Sequence, residues 1–397
     1  MSDLKALLER AERAVSVVPL PPDGLDGLQR RRDRKRRKQR LSAGVVGMAV
    51  FVSAVWIVTT GVPFDRTETP ALPGAAGNGP ALDPFISINA QLSGDHPVDL
   101  FKVQTSDPQY WQLYVLDQFD GESWRSSDPD GTGGGQIEGG QIVNVGPPPP
   151  DSETKSSYTF TILSGFDSGH VLPMPEQIIP PANLIDTAGD LGDVTWDPYL
   201  ERAFVEGGLE AGVEYTFRSR IVVPTPEELD QVQNLAPVKY GRSTELPDDL
   251  DPRIEQIAQE WTADAESAYD KVLAIQRHFH SVGFTYSTDV DVADDADALL
   301  TFLTQTKTGF CQQYATAMAV LVRELGIPAH VAVGYQAGTL QDDGTYLVRS
   351  TDAHAWVEVF FEGYGWLQFE PTPGRGTHPN AQSGTYLNPY LKSATGP

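Results

Sequence analysis

The sequence predicts an α+β protein in which helices pack on an antiparallel sheet, preceded by an antiparallel β domain and a single N-terminal transmembrane helix. Three observations support this prediction. Residues 41–62 contain no charged side chain. Residues 97–226 contain short β-type runs separated by Gly, Pro and Asp. Residues 227–374 contain runs with helical apolar spacing, followed by strand-like runs.

The first 40 residues are basic, and the rest of the chain is acidic. Residues 1–40 contain 12 Lys or Arg and 6 Asp or Glu, against 17 and 48 in the remainder, and the formal net charge is −25. Because such an acidic body repels nucleic acid, we expect no nucleic-acid partner. High-salt or acidic surroundings would explain the same charge, and composition does not separate these explanations.

The uncharged stretch Leu41–Val62 is long enough to span a membrane. Its 22 residues would form a helix of about 33 Å, against about 30 Å for the hydrocarbon core. The run Arg30–Arg40 before it contains nine basic residues, which the positive-inside rule places in the cytoplasm. A nucleic-acid-binding arm is the alternative, but the adjacent apolar span favours contact with anionic lipid head groups. We therefore predict a single-pass cell-membrane protein with a cytoplasmic N-terminus, in which everything after Val62 is extracytoplasmic.

The part after the apolar stretch begins with a predicted linker, residues 63–96, which is rich in Pro, Gly, Ala and Asp. The β-type runs of residues 97–226 are LFKVQT, YWQLYVLDQF, SYTFTIL, RAFVEG and VEYTFRSRIVV. They predict an antiparallel β domain, with a sandwich as the expected arrangement. Residues 131–150, rich in Gly and Pro, are expected to form an exposed loop, and residues 375–397 an extended tail.

Residues 227–374 are predicted to form an α+β domain. Helical spacing occurs in IEQIAQEWTADA, SAYDKVLAIQRHFHSV, DALLTFLTQT and CQQYATAMAVLVREL. The last of these helices begins at Cys311 and ends before Gly326 and Pro328. The strand-like runs AHVAVGYQA, TYLVRS, HAWVEVFF and GWLQFE follow it, which predicts an antiparallel sheet behind the helices.

Cys311 is the only cysteine of the chain, so no intrachain disulfide can form. An inert core cysteine is one interpretation. The predicted helix N-terminus favours a nucleophile instead, because free backbone N–H groups and the helix dipole stabilise a thiolate. Such a nucleophile requires a nearby base, and the base requires an orienting partner.

His354 and Glu370 are the candidates for base and partner, because they begin and end two strands that should form a hairpin. A three-residue connection, Glu362–Tyr364, would pair Phe361 with Gly365. It would place His354 and Glu370 on the same face. The opposite face would then be apolar, containing Val357, Val359, Leu367 and Phe369. A two-residue turn would mix apolar and polar side chains on both faces, so the hydrophobic pattern favours the longer turn.

The stretches GFCQQYATAMAVLVRELGIPAHVAVGY and DAHAWVEVFFEGYGWLQFEPTP resemble the transglutaminase-like superfamily, above all its bacterial membrane-anchored members, over roughly residues 264–374. A weaker resemblance, YWQLYVLDQFDGESW, is similar to the β-rich segment that precedes the catalytic domain in those members. The resemblance implies a papain/transglutaminase-like catalytic domain. It also implies Cys311 as nucleophile, His354 as base and Glu370 in the place usually held by aspartate.

The same resemblance implies a thiol acyltransferase that acts on carboxamides of a protein or peptide substrate through a cysteine thioester. A lysine amine or water would release the acyl group, and the sequence does not choose between them. Two alternatives remain open: a cysteine peptidase or amidase that uses the same three residues, and a non-enzymatic envelope binding module.

Several other residues are weaker candidates. The backbone N–H of Cys311 is expected to be one oxyanion donor, and Tyr286 or Gln305 is a candidate for a second, although structural roles are favoured for both. Trp356 is a candidate wall of the acyl site, with packing as an equal alternative. We expect Glu358 to be solvated or to support the hairpin.

No metal site or cofactor is predicted. His278 and His280 are two residues apart on a helix and point to different faces, and His330 is expected in the core. The acidic run DVDVADDAD, residues 289–297, lacks the glycine and the terminal glutamate of an EF-hand loop. A solvated acidic loop that caps the next helix is the favoured interpretation.

Overall fold

The computed structural model describes residues 96–375, except for short gaps at residues 130, 132–133, 138–139, 143–153, 167–168, 176–177, 189–190, 222–223, 233–237, 282 and 291–297. These residues all belong to one compact unit, Thr69–Pro397. The predicted transmembrane helix 41–62, the basic run 30–40, nearly all of the linker, most of the acidic run 289–297 and the tail after residue 375 lie outside the described residues. Within the described ranges, no helix is long and apolar enough to cross a bilayer.

The first half of the described chain is built from strands. They are β1 (Asp99–Gln104), β2 (Trp111–Leu116), β3 (Gln118–Phe119), β4 (Trp124–Arg125), β5 (Gly135–Gln136), β6 (Gln141–Ile142), β7 (Thr154–Ile162), β8 (Met174–Pro175), β9 (Ile179–Ala188), β10 (Val194–Asp197), β11 (Arg202–Val205) and β12 (Glu214–Ile221). The strands β1, β2, β7, β11 and β12 correspond to the five predicted runs. They form because apolar, β-branched and aromatic residues recur at every second position.

The second half contains the helices and the remaining strands. The helices are α1 (Pro226–Asp230), α2 (Pro252–Trp261), α3 (Ala268–Phe279), α4 (Ala298–Thr301) and α5 (Cys311–Glu324), with 3₁₀ turns at Val238–Thr244 and Ser350–Asp352. The strands are β13 (Thr285–Tyr286), β14 (Thr308–Gly309), β15 (Ala329–Tyr335), β16 (Thr339–Leu340), β17 (Thr345–Arg349), β18 (Ala353–Phe361) and β19 (Gly365–Phe369).

Both large sheets combine strands from before and after Pro226. One sheet has the order β16-β17-β1-β7-β12-β9-β6, and the other has the order β19-β18-β15-β2-β8. Strand β2 pairs antiparallel with β15, although more than 200 residues separate them in sequence. The domain boundary predicted near residue 226 therefore does not separate the sheets, and β2 belongs to the same sheet as the hairpin that carries His354.

Helix α5 packs on strands β15 and β18. Its interior residues Ala317, Met318, Val320 and Leu321 have no exposed surface, and the small alanine side chains allow the helix to lie close to the sheet. At its C-terminal end, Arg323 is buried and donates to three backbone carbonyl groups, those of Ala329, Glu245 and Asp117, at 2.7, 2.9 and 2.8 Å. The Asp117 contact ties the helix to the chain just after β2.

The β18–β19 hairpin has the predicted register. Phe361 pairs with Gly365 across the three-residue turn, and Val357 pairs with Phe369 at the far end. The predicted apolar face is buried, with exposures of 0 to 3% for Val357, Val359, Leu367 and Phe369. Burial of these four side chains fixes the register, because a shift by one residue would turn all of them outward.

Two elements differ from the sequence prediction. Strand β9 was not predicted, because Pro180 and Pro181 cannot donate to a ladder. The β9–β12 pairing accommodates them with a register shift between Arg218 and Arg220. The predicted helix DALLTFLTQT continues after α4 only as a π-helical turn, Phe302–Thr306. It ends at Lys307, whose left-handed backbone (φ 48°) cannot continue a helix.

Candidate active site

Cys311 is the first residue of helix α5 and is fully buried. The preceding residue, Phe310, is extended, and its backbone N–H donates to the side-chain oxygen of Gln313 at 3.0 Å. A Cβ at Gly309 would lie only 3.0 to 3.2 Å from Gln313 side-chain atoms, so glycine leaves space for this side chain to reach back. The thiol therefore lies at the N-terminal end of a helix whose start is fixed by Gln313.

His354 follows the first residue of β18 and is 1% exposed. Its Nε2 donates to Oε2 of Glu370 at 2.5 Å. Its side chain is also hydrogen-bonded to Cys311. Since Nε2 is bonded to Glu370, Nδ1 is the ring nitrogen left for the thiol. The structure thus brings together the three residues that the sequence singled out.

Both oxygens and both backbone groups of Glu370 have partners. Oε1 accepts from the backbone N–H of Thr372 at 2.8 Å, and Oε2 also accepts from the hydroxyl of Tyr110 at 3.1 Å. The Glu370 backbone N–H donates to Gln276 Oε1 at 2.9 Å. Its carbonyl oxygen accepts from His280 Nε2 at 2.7 Å. Groups from three parts of the chain therefore hold the carboxylate in one orientation, and helix α3 holds the backbone of Glu370.

The histidine and glutamate favour each other's charged form. Burial alone would lower the pKa of His354, but the charge of Glu370 and hydrogen bonds to Cys311 and Glu370 raise this pKa to about 9. Burial alone would raise the pKa of Glu370, whereas the His354 charge and the hydrogen bonds to His354 and Thr372 lower it below its usual value. At neutral pH the pair is therefore an imidazolium and a carboxylate.

The two candidate oxyanion residues lie in different environments. Tyr286 is half-buried and pairs with Gly309 in the short parallel ladder of β13 and β14. Burial raises the pKa of its hydroxyl, the charge of Arg375 and its hydrogen bond lower this pKa, and the Cys311 and Glu370 side chains raise it. The hydroxyl accepts from Arg375 Nη2 at 3.1 Å, and the guanidinium lies 4.9 Å from the ring centre. Gln305 is exposed on the π-helical turn, outside the buried set.

Trp356 has no exposed surface. Its indole N–H donates to Glu358 Oε1 at 3.2 Å, and its ring lies 5.1 Å from that of Tyr110. It also lies 6.3 Å from the His354 ring, nearly parallel to it. In this conformation Trp356 is a packing residue beside Tyr110 and His354.

A second buried histidine–glutamate pair lies on the same sheet. His330 is in the core, as predicted, and its Nε2 donates to Glu358 Oε2 at 2.6 Å. Glu358 is 3% exposed, so the expectation of a solvated side chain is wrong, because Gln112 and Trp356 also donate to this carboxylate. These hydrogen-bond partners of Glu358 come from β2, β15 and β18, so the carboxylate links three neighbouring strands of the sheet.

The sequence did not single out Tyr110, Gln276 or His280 as site residues, although all three contact Glu370. His280 and Gln276 are four residues apart at the end of α3, which places them on one face of the helix. This spacing predicts that the two side chains lie on the same face of α3. It does not predict which strand that face contacts.

Within the part of the chain that the structure describes, no group of three or more His, Cys, Asp or Glu side chains is arranged to hold a metal ion. His278 stacks on Trp261 with 3.6 Å between ring centres, and His280 faces Glu370. These two histidines thus point in different directions.

Comparison with known proteins identifies the class to which this fold and site belong. Residues 255–371 match the description "Transglutaminase-like superfamily", and residues 7–226 match the TgpA N-terminal domain. The chain therefore belongs to the TgpA N-terminal domain family and carries a transglutaminase-like core after that domain, as in bacterial transglutaminase-like proteins.

Two curated relatives are similar over part of their length. Protein YebA of Bacillus subtilis strain 168 is 29% identical over 288 residues, which are 69% of this chain and 38% of the relative. The protein-glutamine gamma-glutamyltransferase of Pseudomonas aeruginosa strain PAO1 is 40% identical over 140 residues, 35% of this chain and 21% of the relative. The matched regions thus span well under half of either relative.

Among solved structures, the periplasmic domain of TgpA from Pseudomonas aeruginosa bound to ethylmercury has a similar fold. The TM-score is 0.54 at 25% identity, and the match covers 77% of this chain and 98% of that chain. A second crystal structure of the same periplasmic domain matches with a TM-score of 0.53 at 24% identity, over 77% of this chain and 95% of that chain.

Proposed function

We propose that this chain is an extracytoplasmic, membrane-anchored thiol acyltransferase that acts on carboxamide groups of proteins or peptides. The observation that carries the proposal is the buried set of Cys311, His354 and Glu370. A thiol at a helix N-terminus is hydrogen-bonded to an imidazole, and the imidazole is held by a carboxylate at 2.5 Å. An inert core cysteine needs neither partner.

The chemistry follows from these positions. The Cys311 sulfur attacks the carbonyl carbon of a glutamine-type carboxamide, and the C–N bond breaks to leave a thioester. His354 gives its proton to the departing nitrogen, which leaves as ammonia. An amine then attacks the thioester carbonyl, His354 takes a proton from this amine, and the Cys311 sulfur leaves. Glu370 stabilises the imidazolium in both half-reactions.

The tetrahedral oxyanion requires hydrogen-bond donors beside the sulfur. The backbone N–H of Cys311 lies in the first turn of α5, where N–H groups have no partner within the helix. The hydroxyl of Tyr286, which accepts from the Arg375 guanidinium, is the second proposed donor. Because Cys311 has no exposed surface in this conformation, the side chains around it must shift to admit the substrate.

Two relatives support the substrate class and the location. One is named a protein-glutamine gamma-glutamyltransferase, and the fold matches a periplasmic domain. We extend both properties to this chain as proposals, together with a membrane anchor at Leu41–Val62 and lipid contacts at Arg30–Arg40. A cysteine peptidase would use the same three residues with water as the acceptor, so the choice of acceptor must be measured.

Amine incorporation into a glutamine-containing protein tests the proposal. We expect the full-length chain to attach a labelled primary amine, with release of ammonia. Cys311→Ser, which replaces one atom at a fully buried position, should lower the rate by at least about 1,000-fold without unfolding the protein. Equal rates for the two proteins would exclude the cysteine mechanism.

The same samples separate the alternatives. Peptide-bond cleavage without amine incorporation would identify a peptidase. Absence of both reactions, with iodoacetamide labelling of Cys311 no faster than that of a free cysteine, would indicate a binding module. Digestion of spheroplasts by an added protease tests the location: residues after Val62 should be degraded and residues before Leu41 protected.

A further inference from the structure

The β segment before the catalytic core contributes one side chain directly to the proposed catalytic set. Tyr110 is 2% exposed and lies immediately before β2. Its hydroxyl donates to Glu370 Oε2 at 3.1 Å across a separation of 260 residues. Its ring meets the His354 ring edge-on at 5.3 Å. Tyr110 is thus in contact with two of the three residues.

We propose that Tyr110 is a positioning residue of the acyl-transfer reaction and that the preceding β segment is therefore part of the active site. This inference rests on the proposed function. Tyr110 acts through Glu370, because its hydroxyl bonds to the carboxylate and not to the sulfur. The core alone, residues 255–371, would lack this hydroxyl.

The alternation of β2 explains how Tyr110 reaches the site. Gln109 Nε2 donates to the Tyr158 hydroxyl at 2.6 Å. Tyr158 belongs to β7 of the seven-stranded sheet, so this bond fixes the start of the β2 segment against that sheet. Side chains at every second position point to the same face. Tyr110 therefore faces Glu370, and Gln112, two residues later, donates to Glu358 at 2.9 Å.

Gly334 of β15 allows strand β2 to lie close to β15. It lies opposite His354 in β18 and opposite Gln112 in β2. A Cβ at this position would lie 2.0 Å from the carbonyl oxygen of Trp111. The indole N–H of Trp111 also donates to the carbonyl of Ala337 at 3.2 Å. The strand that carries Tyr110 is therefore fixed against the strand beside His354.

Glutamate needs this support more than aspartate would. The side chain of Glu370 has one more rotatable bond than that of aspartate, so more rotamers compete with the one that meets His354. The Thr372 N–H holds Oε1 at 2.8 Å, and Tyr110 holds Oε2. Because the site is buried, no bulk water replaces the hydroxyl when it is removed.

Kinetics of the full-length Tyr110→Phe variant test the proposal. Phenylalanine keeps the ring contacts and removes only the donor. We expect kcat for amine incorporation to fall about tenfold, the scale of one hydrogen bond to a charged acceptor, while KM stays unchanged. The basic limb of the pH–rate profile should move to lower pH, because a misplaced carboxylate supports the imidazolium less well. Iodoacetamide labelling of Cys311 at pH 7 should slow in parallel.

Tyr215→Phe is the matched control. Tyr215 is also fully buried, and its hydroxyl donates to the carbonyl of Pro173 at 2.9 Å, not to a carboxylate. This variant should keep kcat within about twofold of wild type. If Tyr110→Phe behaves like Tyr215→Phe in kcat, pH profile and labelling, the positioning role is wrong.

A double-mutant cycle with Glu370→Ala tests whether the Tyr110 hydroxyl acts through Glu370. In that background, Tyr110→Phe should change the rate by less than about twofold, because its target is gone. A further tenfold loss would show that the Tyr110 hydroxyl acts independently of Glu370, which overturns the proposal. Failure of the proposed function gives a different result. In that case Cys311→Ser retains amine incorporation, or wild type shows no amine incorporation. If wild type shows none, the iodoacetamide labelling rates of wild type and Tyr110→Phe still test the role of Tyr110.

Discussion

The imidazole Nε2 of His354 lies 2.5 Å from Glu370 Oε2, and the length of one turn brings them together. Residues 362–364 connect β18 to β19 so that Phe361 pairs with Gly365. A turn shorter by one residue would direct the Glu370 side chain to the opposite face of the sheet. The charged pair is therefore a consequence of hairpin register, which the buried apolar face maintains.

Replacement of the carboxylate charge should disable the site. In Glu370→Gln, the amide keeps the shape but cannot stabilise an imidazolium, so kcat for amine incorporation should fall by at least about 100-fold. NMR titration of His354 should show its pKa well below the value of about 9 in the native pair. An unchanged His354 titration would contradict the assigned role of Glu370.

Glu358→Gln is the control for this experiment, because it neutralises the other buried carboxylate that pairs with a histidine. We expect a loss of about 1–3 kcal/mol in the free energy of unfolding and a kcat within about threefold of wild type. Equal loss of kcat in both variants would show that buried charge in general, and not the Glu370 contact, sustains the reaction.

Stability should depend on pH through the same pair. The pKa of His354 is raised from 6.5 to about 9 by folding, so its contribution is complete below pH 6.5 and is lost as pH rises through about 9. Glu370 has a lowered pKa, so its contribution is present above its usual pKa of 4.5 and is lost as pH falls below the folded value. Thermal unfolding should show a midpoint about 5 °C lower at pH 10 than at pH 6.5. The His354→Gln variant should lose most of the alkaline decrease; an identical decrease in this variant would assign it to other groups.

The close approach of β2 and β15 should make Gly334 intolerant of any side chain. In Gly334→Ala, the Cβ at 2.0 Å from the Trp111 carbonyl oxygen forces the strands apart. We expect the free energy of unfolding to fall by about 2–4 kcal/mol in urea titrations, with a loss of activity because Tyr110 moves with β2. Gly241→Ala, where an added Cβ meets nothing within 4 Å, should stay within about 0.5 kcal/mol of wild type.

Arg323 should not be replaceable by lysine. Its guanidinium donates to three carbonyl oxygens and lies 4.6 Å from the Trp124 ring centre. Burial lowers its pKa to about 10, so it stays charged at pH 7. A lysine ammonium cannot reach all three carbonyl groups, and Arg323→Lys should cost about 2–4 kcal/mol of unfolding free energy.

Exposed Arg242 provides the comparison for that substitution. Chemical denaturation of Arg242→Lys should give a free energy of unfolding within about 0.5 kcal/mol of wild type. If Arg323→Lys is as mild as Arg242→Lys, the three carbonyl contacts do not stabilise the C-terminal end of α5.

Local pattern was sufficient for the elements that carry the candidate site. Helix α5 begins at Cys311, as its apolar spacing predicted. The hairpin register followed from alternation, because only a three-residue turn collects the apolar side chains on one face. Strand β9 was missed because Pro180 and Pro181 argue locally against a ladder, while its partner β12 accommodates them by a register shift.

The sequence alone singled out Cys311 at a predicted helix N-terminus and determined the face on which His354 and Glu370 meet, because periodicity reports which side of a strand is buried. Periodicity does not report which strand lies alongside. The pairing of β2 with β15 and the contacts of Tyr110, Gln276 and His280 with Glu370, across 260, 94 and 90 residues, were therefore decided only by tertiary structure. Long-range pairing depends on the joint fit of surfaces that are far apart in the chain, and no short window of residues contains both surfaces.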